Sequence, residues 1–346
     1  MAPLSPALAR LAPGDGRLTL GLELPLDNDW ARARVPADRE AGRPFGVPDL
    51  SEHTRLARLA DRLGFAALWL RDVPLYDPVR FGDAGSVFET FTHLGHLAAV
   101  TENAVLGTGA IVLPLRDPLL VAKAAATVDV LSGGRMLLGL ASGDRPVEYP
   151  LFGRDFEARG TAFREGVEVL RAAWRAGPLE LPRAGLGADR RLEVLPRPVH
   201  TAGIPLAVAG GAQQTPEWIA AHADASLNYP RDLGALRLKT REWRKLTGGG
   251  KPYLTPMVLD LQEDPGAPAR PVRLGLSTGG KALRGHLEQM AALGVAHVSF
   301  NLRPNDRPVD EVLRELAEDV LPHFPTPVEV PREKPRPDSP TGEPAP

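Results

Sequence analysis

Cysteine is absent from this 346-residue chain. That one absence excludes disulfides, thiolate metal sites, iron–sulfur clusters and a cysteine nucleophile. Charge of one sign is also lacking. With 41 basic and 43 acidic residues the formal net charge is −2, so no basic surface points to nucleic acid or an anionic membrane as partner. No apolar run approaches the roughly 18 residues of a membrane span. The first residues, MAPLSPALARLAPGDG, are too polar and proline-broken for a secretory signal, and a soluble, cytoplasmic protein is expected. Familiar catalytic motifs are missing too: there is no G-x-S-x-G elbow, Walker loop or H-E-x-x-H. The GTGAIV at 107–112 lacks the third glycine of a dinucleotide fingerprint. His53, His222 and His286 fall in predicted helices and His93 and His96 on another. None pairs with a carboxylate at metal-ligand spacing, so they read as surface or core histidines and no metal is expected.

What is present is core. At 43% hydrophobic, the chain can bury one large domain or two ordinary ones. Residues 1–16 carry three prolines and read as a disordered N-terminal segment. From Pro325 the sequence PTPVEVPREKPRPDSPTGEPAP has almost nothing to bury and reads as a disordered tail over 325–346. Between them, over 17–324, apolar strands alternate with helical patterns. Strands are expected at 18–26, 67–72, 105–114, 135–143, 205–211, 225–229, 253–261 and 297–302. Pro256 argues for an edge or a bulge in the seventh. Helices are expected at 50–64, 87–101, 118–133, 159–177, 215–223, 233–246, 281–294 and 309–321. The stretches 27–49 and 178–204 show no clear period. Near-continuous apolar strands separated by helices indicate parallel pairing with both faces covered. Eight such units fit an α/β fold of the (β/α)8 TIM-barrel kind, as a single domain with loop insertions, better than a doubly wound sheet.

In such a barrel, ligands sit at the C-terminal strand ends. Small residues gather there: Gly107-Thr108-Gly109-Ala110 after the third strand and Ala141-Ser142-Gly143 after the fourth. Gly210-Gly211-Ala212-Gln213 closes the fifth strand and opens a helix, where backbone N–H groups suit a phosphate. Asp72 could accept from a ligand, cap a loop, or pair with Arg71. Arg71, Arg116, Arg145 and Arg231 fall at or near the rim. Each could bind an anionic substrate or pair with Asp72, Asp117, Asp144 or Asp232.

These residues carry a family resemblance. VLGTGAIVLPLRDPLLVAKAAATVDVLSGGRMLLGLASG (105–143) resembles the core of the bacterial luciferase-like flavin-dependent monooxygenases. GFAALWLRD (64–72), the R-x-x-x-F-R-E pattern from Arg159, and PLAVAGGAQQTPEWIAAHAD (205–224) agree with it. The resemblance implies a luciferase-like barrel binding FMN, with reduced flavin supplied by a separate reductase, a small-molecule substrate and a homodimer. It places Thr108, Gly109 and Ala110 under the flavin ring, with Gly109-Ala110 where the family often has a cis peptide. It puts Asp72 near the flavin. Ser142, Gly143, Gly210, Gly211, Ala212, Gln213 and Thr215 fall on the phosphate side. Four positions depart from the luciferase-like pattern: Val73 stands for a histidine, Ala141 for the reactive cysteine, Ser142 for a phosphate-binding arginine and Ala212 for a serine. Light emission is therefore not expected. The phosphate grip would rest on backbone amides, Gln213 and Arg145. The family chemistry resides in the cofactor, which accounts for a chain without triad or metal cluster. Three other readings stand beside this one: an F420-dependent hydride-transfer enzyme, a non-catalytic flavin-binding protein, and a barrel of hydrolase or isomerase type.

Overall fold

The computed structural model describes residues 4–14, 16–77, 79, 87–180, 192–229 and 232–327. Its strands are β1 (Thr19–Glu23), β2 (Ala67–Leu70), β3 (Val105–Thr108), β4 (Ile111–Val112), β5 (Met136–Ala141), β6 (Leu206–Ala209), β7 (Ala225–Leu227), β8 (Tyr253–Leu261), β9 (Arg270–Val272), β10 (Gly275–Thr278) and β11 (Val295–Asn301). Its α-helices are α1 (Pro6–Leu11), α2 (Val35–Glu40), α3 (His53–Leu63), α4 (Thr90–Val100), α5 (Pro118–Ser132), α6 (Glu148–Leu151), α7 (Arg159–Ala173), α8 (Pro216–His222), α9 (Leu233–Thr247), α10 (Gly280–Ala292) and α11 (Val309–Glu315).

Eight parallel staves run in the order β1, β2, β3, β5, β6, β7, β8, β11, and β11 pairs back with β1 from Thr19–His297 to Leu22–Phe300. The sheet is closed, as the (β/α)8 expectation requires. Strand alternation sorts the side chains. Leu20, Leu22, Leu68, Leu70, Leu106, Leu138 and Leu140 join the large cluster beneath the helices. Ala67, Trp69, Val105, Leu137, Ala207, Ala225, Leu227 and Leu254 form a separate inner cluster. The helices begin and end where local chemistry directs. Pro118 opens α5, and the Asp117 carboxylate accepts from the N–H groups of Leu119 at 2.9 Å and Leu120 at 3.0 Å.

Four features depart from the sequence reading. The N-terminal segment expected to be disordered contains α1, whose Ala7, Leu8 and Leu11 are buried in the inner cluster. The Thr19 hydroxyl, at the start of β1, donates to the Leu11 carbonyl at 2.7 Å. This helix therefore closes the bottom of the barrel. Three prolines lie there, but Pro6 occupies a first-turn position where its missing N–H costs nothing. The stretch 27–49 contains α2. A hairpin of β9 and β10 was not foreseen among the prolines of 262–279, and β10 extends the sheet beside β8. Pro256 lies in a central stave, not at an edge. β7 pairs with β8 only as far as Leu254, so the missing N–H of Pro256 falls where that neighbour has already ended. The tail beyond Pro327 lies outside the described residues. No described helix is long and apolar enough to cross a membrane.

Candidate functional site

At the C-terminal mouth of the barrel is a cavity of about 140 Å³. Its floor is apolar, made by Trp69, Leu227 and Pro256. Trp69 is fixed by a chain of hydrogen bonds down the barrel. Its Nε1–H donates to His297 Nε2 at 3.0 Å, His297 Nδ1 lies 2.9 Å from the Thr19 hydroxyl, and that hydroxyl donates to Leu11. These partners select the Nδ1–H tautomer. Complete burial drives the His297 pKa down to about 3, so the imidazole stays neutral. Gly107 makes room for the indole: a Cβ there would stand 2.5 Å from the Trp69 ring.

The third predicted strand is broken into β3 and β4 around a cis peptide between Gly109 and Ala110. Pairing with β5 slips by one residue across the break, from Gly107–Leu137 to Ile111–Leu140. Thr108 repairs the ladder. Its hydroxyl donates to the Gly139 carbonyl at 2.8 Å and accepts from the Gly139 N–H at 2.8 Å. A Cβ on Gly139 would lie 1.8 Å from the Thr108 carbonyl oxygen, which fixes that residue as glycine. Thr108 is thus a fully buried structural bridge, while Gly109 lines the cavity.

On the side predicted to hold a phosphate, the loops after β5 and β6 are joined by α6 and α7. The Tyr149 hydroxyl donates to the Ser142 carbonyl, and burial pushes the phenol up to about 12. Tyr149 meets Phe156 edge-on, with centroids 5.1 Å apart. The Arg159 guanidinium lies 3.6 Å over the Phe156 ring. Arg159 Nη1 donates to the Phe156 carbonyl at 2.7 Å, whereas Nε is buried without a hydrogen-bond partner. Next in sequence, Gly160 abuts the second loop: its carbonyl accepts from Gln214 Nε2 at 2.8 Å, and a Cβ there would meet Gln213 at 2.9 Å. Gly210, Ala212 and Gln213 take left-handed φ values of 62°, 44° and 59°. Among the described residues, the N–H groups of Gly211, Ala212 and Gln213 meet no intramolecular acceptor. Successive N–H groups of a turn that are left without an internal acceptor suit an anion. Thr215 serves a different purpose, accepting from the Trp218 N–H at 3.2 Å as the cap of α8.

The remaining predicted residues scatter. Asp72 is held away from the cavity: it accepts from Arg116 at 2.7 and 3.1 Å, Thr90 at 2.9 Å and the Val112 N–H at 3.1 Å. Arg116 is consumed by Asp72 and by Glu89 at 3.0 Å. Arg145 faces Glu148 at 3.8 Å and the Leu75 carbonyl at 3.3 Å. Asp117 and Asp232 cap helices and are not arginine partners in these contacts. Arg231 lies outside the described residues. Of the four arginines, Arg71 lines the cavity, 3.7 Å from Glu23. Glu23 and Ser299 also line it and were not foreseen, nor was His297. Glu23 has a readable signal, a carboxylate ending the apolar strand TLGLE.

Comparisons with known proteins agree with this architecture. The family model described as luciferase-like monooxygenase matches residues 30–248. An uncharacterized protein of Mycobacterium tuberculosis is 30% identical over 244 residues, covering 64% of this chain and 83% of that one. The oxygenase component of a flavin-dependent trigonelline monooxygenase from Acinetobacter baylyi is 31% identical over 126 residues, 36% of this chain and 33% of that one. Among solved structures, the monooxygenase RslO1 from Streptomyces bottropensis superposes with a TM-score of 0.69 at 21% identity, over 89% of this chain and 100% of that one. The coenzyme F420-dependent tetrahydromethanopterin reductase from Methanopyrus kandleri superposes with a TM-score of 0.65 at 16% identity, over 89% and 99%. The likeness to these two structures is one of fold. With the family model spanning well over half its length, the chain belongs to the luciferase-like monooxygenase family.

Proposed function

We propose that this protein is an FMN-dependent oxidoreductase, a monooxygenase that uses reduced flavin and O2 on a small organic substrate. One arrangement carries the reading. A cavity with an apolar floor opens beside small residues (Gly109, Ala209 and Gly210), and the N–H groups of 211–213 follow directly on that side. A planar ring needs the first feature and a phosphate tail needs the second. These residues fit FMN. The cofactor, when bound, supplies the electrons and the oxygen chemistry.

The chain's own residues bind, orient and exclude water. Trp69, Leu227 and Pro256 keep the floor dry. Gly109, Ala209 and Gly210 leave space for the ring's edge. The N–H groups of 211–213 and the Arg159 guanidinium would hold the phosphate. In this role Arg159 replaces Arg145, which is turned toward Glu148. Tyr149, fixed on the Ser142 carbonyl, keeps the two loops in register. Reduced flavin would come from a separate reductase, and two copies would pair as a homodimer.

Equilibrium titration of the full-length protein with FMN, riboflavin and F420, oxidised and reduced, tests this by fluorescence. FMN is expected to bind about 30-fold or more tighter than riboflavin, because two or three charge-assisted contacts to phosphate are at stake. F420 is expected to bind more weakly than FMN. Tight F420 binding with none for FMN would replace oxygen chemistry by hydride transfer. Tight FMN binding with no O2 consumption against any substrate would leave a flavin-binding protein.

A further inference from the structure

The charged groups of the cavity are gathered on one wall, while Tyr229 lines it from beyond β7. Glu23 ends β1, Arg71 follows β2 and Ser299 belongs to β11, and these three staves are neighbours. The small residues assigned to the cofactor, Gly109, Ala209 and Gly210, belong to β6 and to the turns after β3 and β6. Glu23 is only 5% exposed, and Asn301 Nδ2 donates to its Oε1 at 3.2 Å. Arg71 Nε stands 3.7 Å from that same oxygen, and 24% of the Arg71 side chain is exposed. The wall therefore presents a buried carboxylate and a guanidinium side by side.

This pairing discriminates among ligands by charge. A net anion drawn to Arg71 would also lie against the Glu23 carboxylate. A net cation drawn to Glu23 would lie against Arg71. In a partly dehydrated cavity either like-charge contact is costly. A zwitterion whose two charges stand as close together as the two side chains meets each with the opposite sign. It also adds no net charge to the cavity. Ammonium and carboxylate on one carbon have that spacing.

We propose that the substrate is a small zwitterion of the α-amino acid type. Its ammonium group faces Glu23 and its carboxylate faces Arg71. The proposal rests on the oxidoreductase reading above and replaces the anionic substrate that the rim arginines alone would suggest.

Three compounds of one shape test it: L-phenylalanine, 3-phenylpropanoate, which lacks the ammonium, and 2-phenylethylamine, which lacks the carboxylate. Calorimetric titration of the full-length protein, with and without FMN, should find L-phenylalanine bound at least tenfold tighter than either single ion. Glu23→Gln should weaken L-phenylalanine and 2-phenylethylamine tenfold and spare 3-phenylpropanoate. Arg71→Met should weaken L-phenylalanine and 3-phenylpropanoate and spare the amine. Equal binding of a single-charge compound and L-phenylalanine overturns the proposal, as does the binding of none of the three. The comparison of the three compounds on the unsubstituted protein stands even if a variant fails to fold. FMN binding in the same preparations separates the two levels. If FMN binds and the zwitterion preference is missing, only the substrate class falls. If FMN does not bind, the oxidoreductase reading falls on its own evidence.

Discussion

Asp72 illustrates how a residue that reads as a site from sequence can be taken up by the fold. Its two oxygens accept from Arg116, Thr90 and the Val112 N–H, so it pins the end of β2 to β4 across the break in the third strand. Asp72→Asn removes a charge from these bonds and should cost about 1.5–3 kcal/mol, read as a lower urea midpoint, with FMN affinity changed less than threefold. A large loss of FMN affinity without a loss of stability would return Asp72 to the cofactor. Arg159 should behave in the opposite way. Arg159→Met is expected to weaken FMN about tenfold and leave riboflavin affinity unchanged, because only FMN carries the phosphate. Equal weakening of both would show that Arg159 only supports packing. Individual residues were unevenly legible. The glycines at strand ends stood out in the sequence, and the family resemblance pointed to the Gly109-Ala110 peptide. Thr108 was singled out for the ring, but its hydroxyl completes the β5 ladder. The place of Arg159 could not be read, because it depends on α7 starting against a loop more than fifty residues away.

Among the elements, the alternation of strand and helix was legible because most barrel staves are largely apolar and several helices, α3, α5 and α9 among them, stop at a glycine. Elements outside that alternation were not. The helix α1, the helix α2 and the hairpin of β9 and β10 all lie in proline-rich stretches, where composition argues for irregular structure and only tertiary contacts decide. Leu11 is fully buried beneath the barrel. Leu11→Ala should therefore destabilise the protein by about 2–5 kcal/mol, measured by chemical denaturation. A change within 0.5 kcal/mol, the usual range for an exposed site, would mean that α1 does not plug the barrel in solution.

At the scale of the whole molecule, acid sensitivity follows from three buried histidines. His53 and His93 face each other with their Nε2 atoms 2.5 Å apart, and burial holds them down to about 4 and about 3. His297 is held down to about 3. In the unfolded chain all three titrate near the usual value of about 6.5. Between these limits the unfolded state binds more protons, so their contribution is fully present above pH 6.5 and is lost as the pH falls toward 3. Burial raises Asp129 to about 6 and raises Asp29 and Glu148 as well, and these carboxyls act in the opposite direction. Burial also lowers His286, so the histidines outnumber them. Stability should therefore fall by about 1–3 kcal/mol per pH unit near pH 5, seen as a drop in the urea midpoint between pH 6 and 4.5. A flat midpoint across that range would show that these imidazoles are not buried in the folded protein.

A crystal structure of the protein with FMN decides where a flavin lies in this barrel. The phosphate is expected within hydrogen-bond distance of the 211–213 N–H groups and the Arg159 guanidinium, with the ring over Gly109 and its inner edge toward Trp69. A phosphate resting instead on Arg71 beside Glu23, or a flavin bound outside the barrel mouth, would contradict both the cofactor site and the division of the cavity into cofactor and substrate sides.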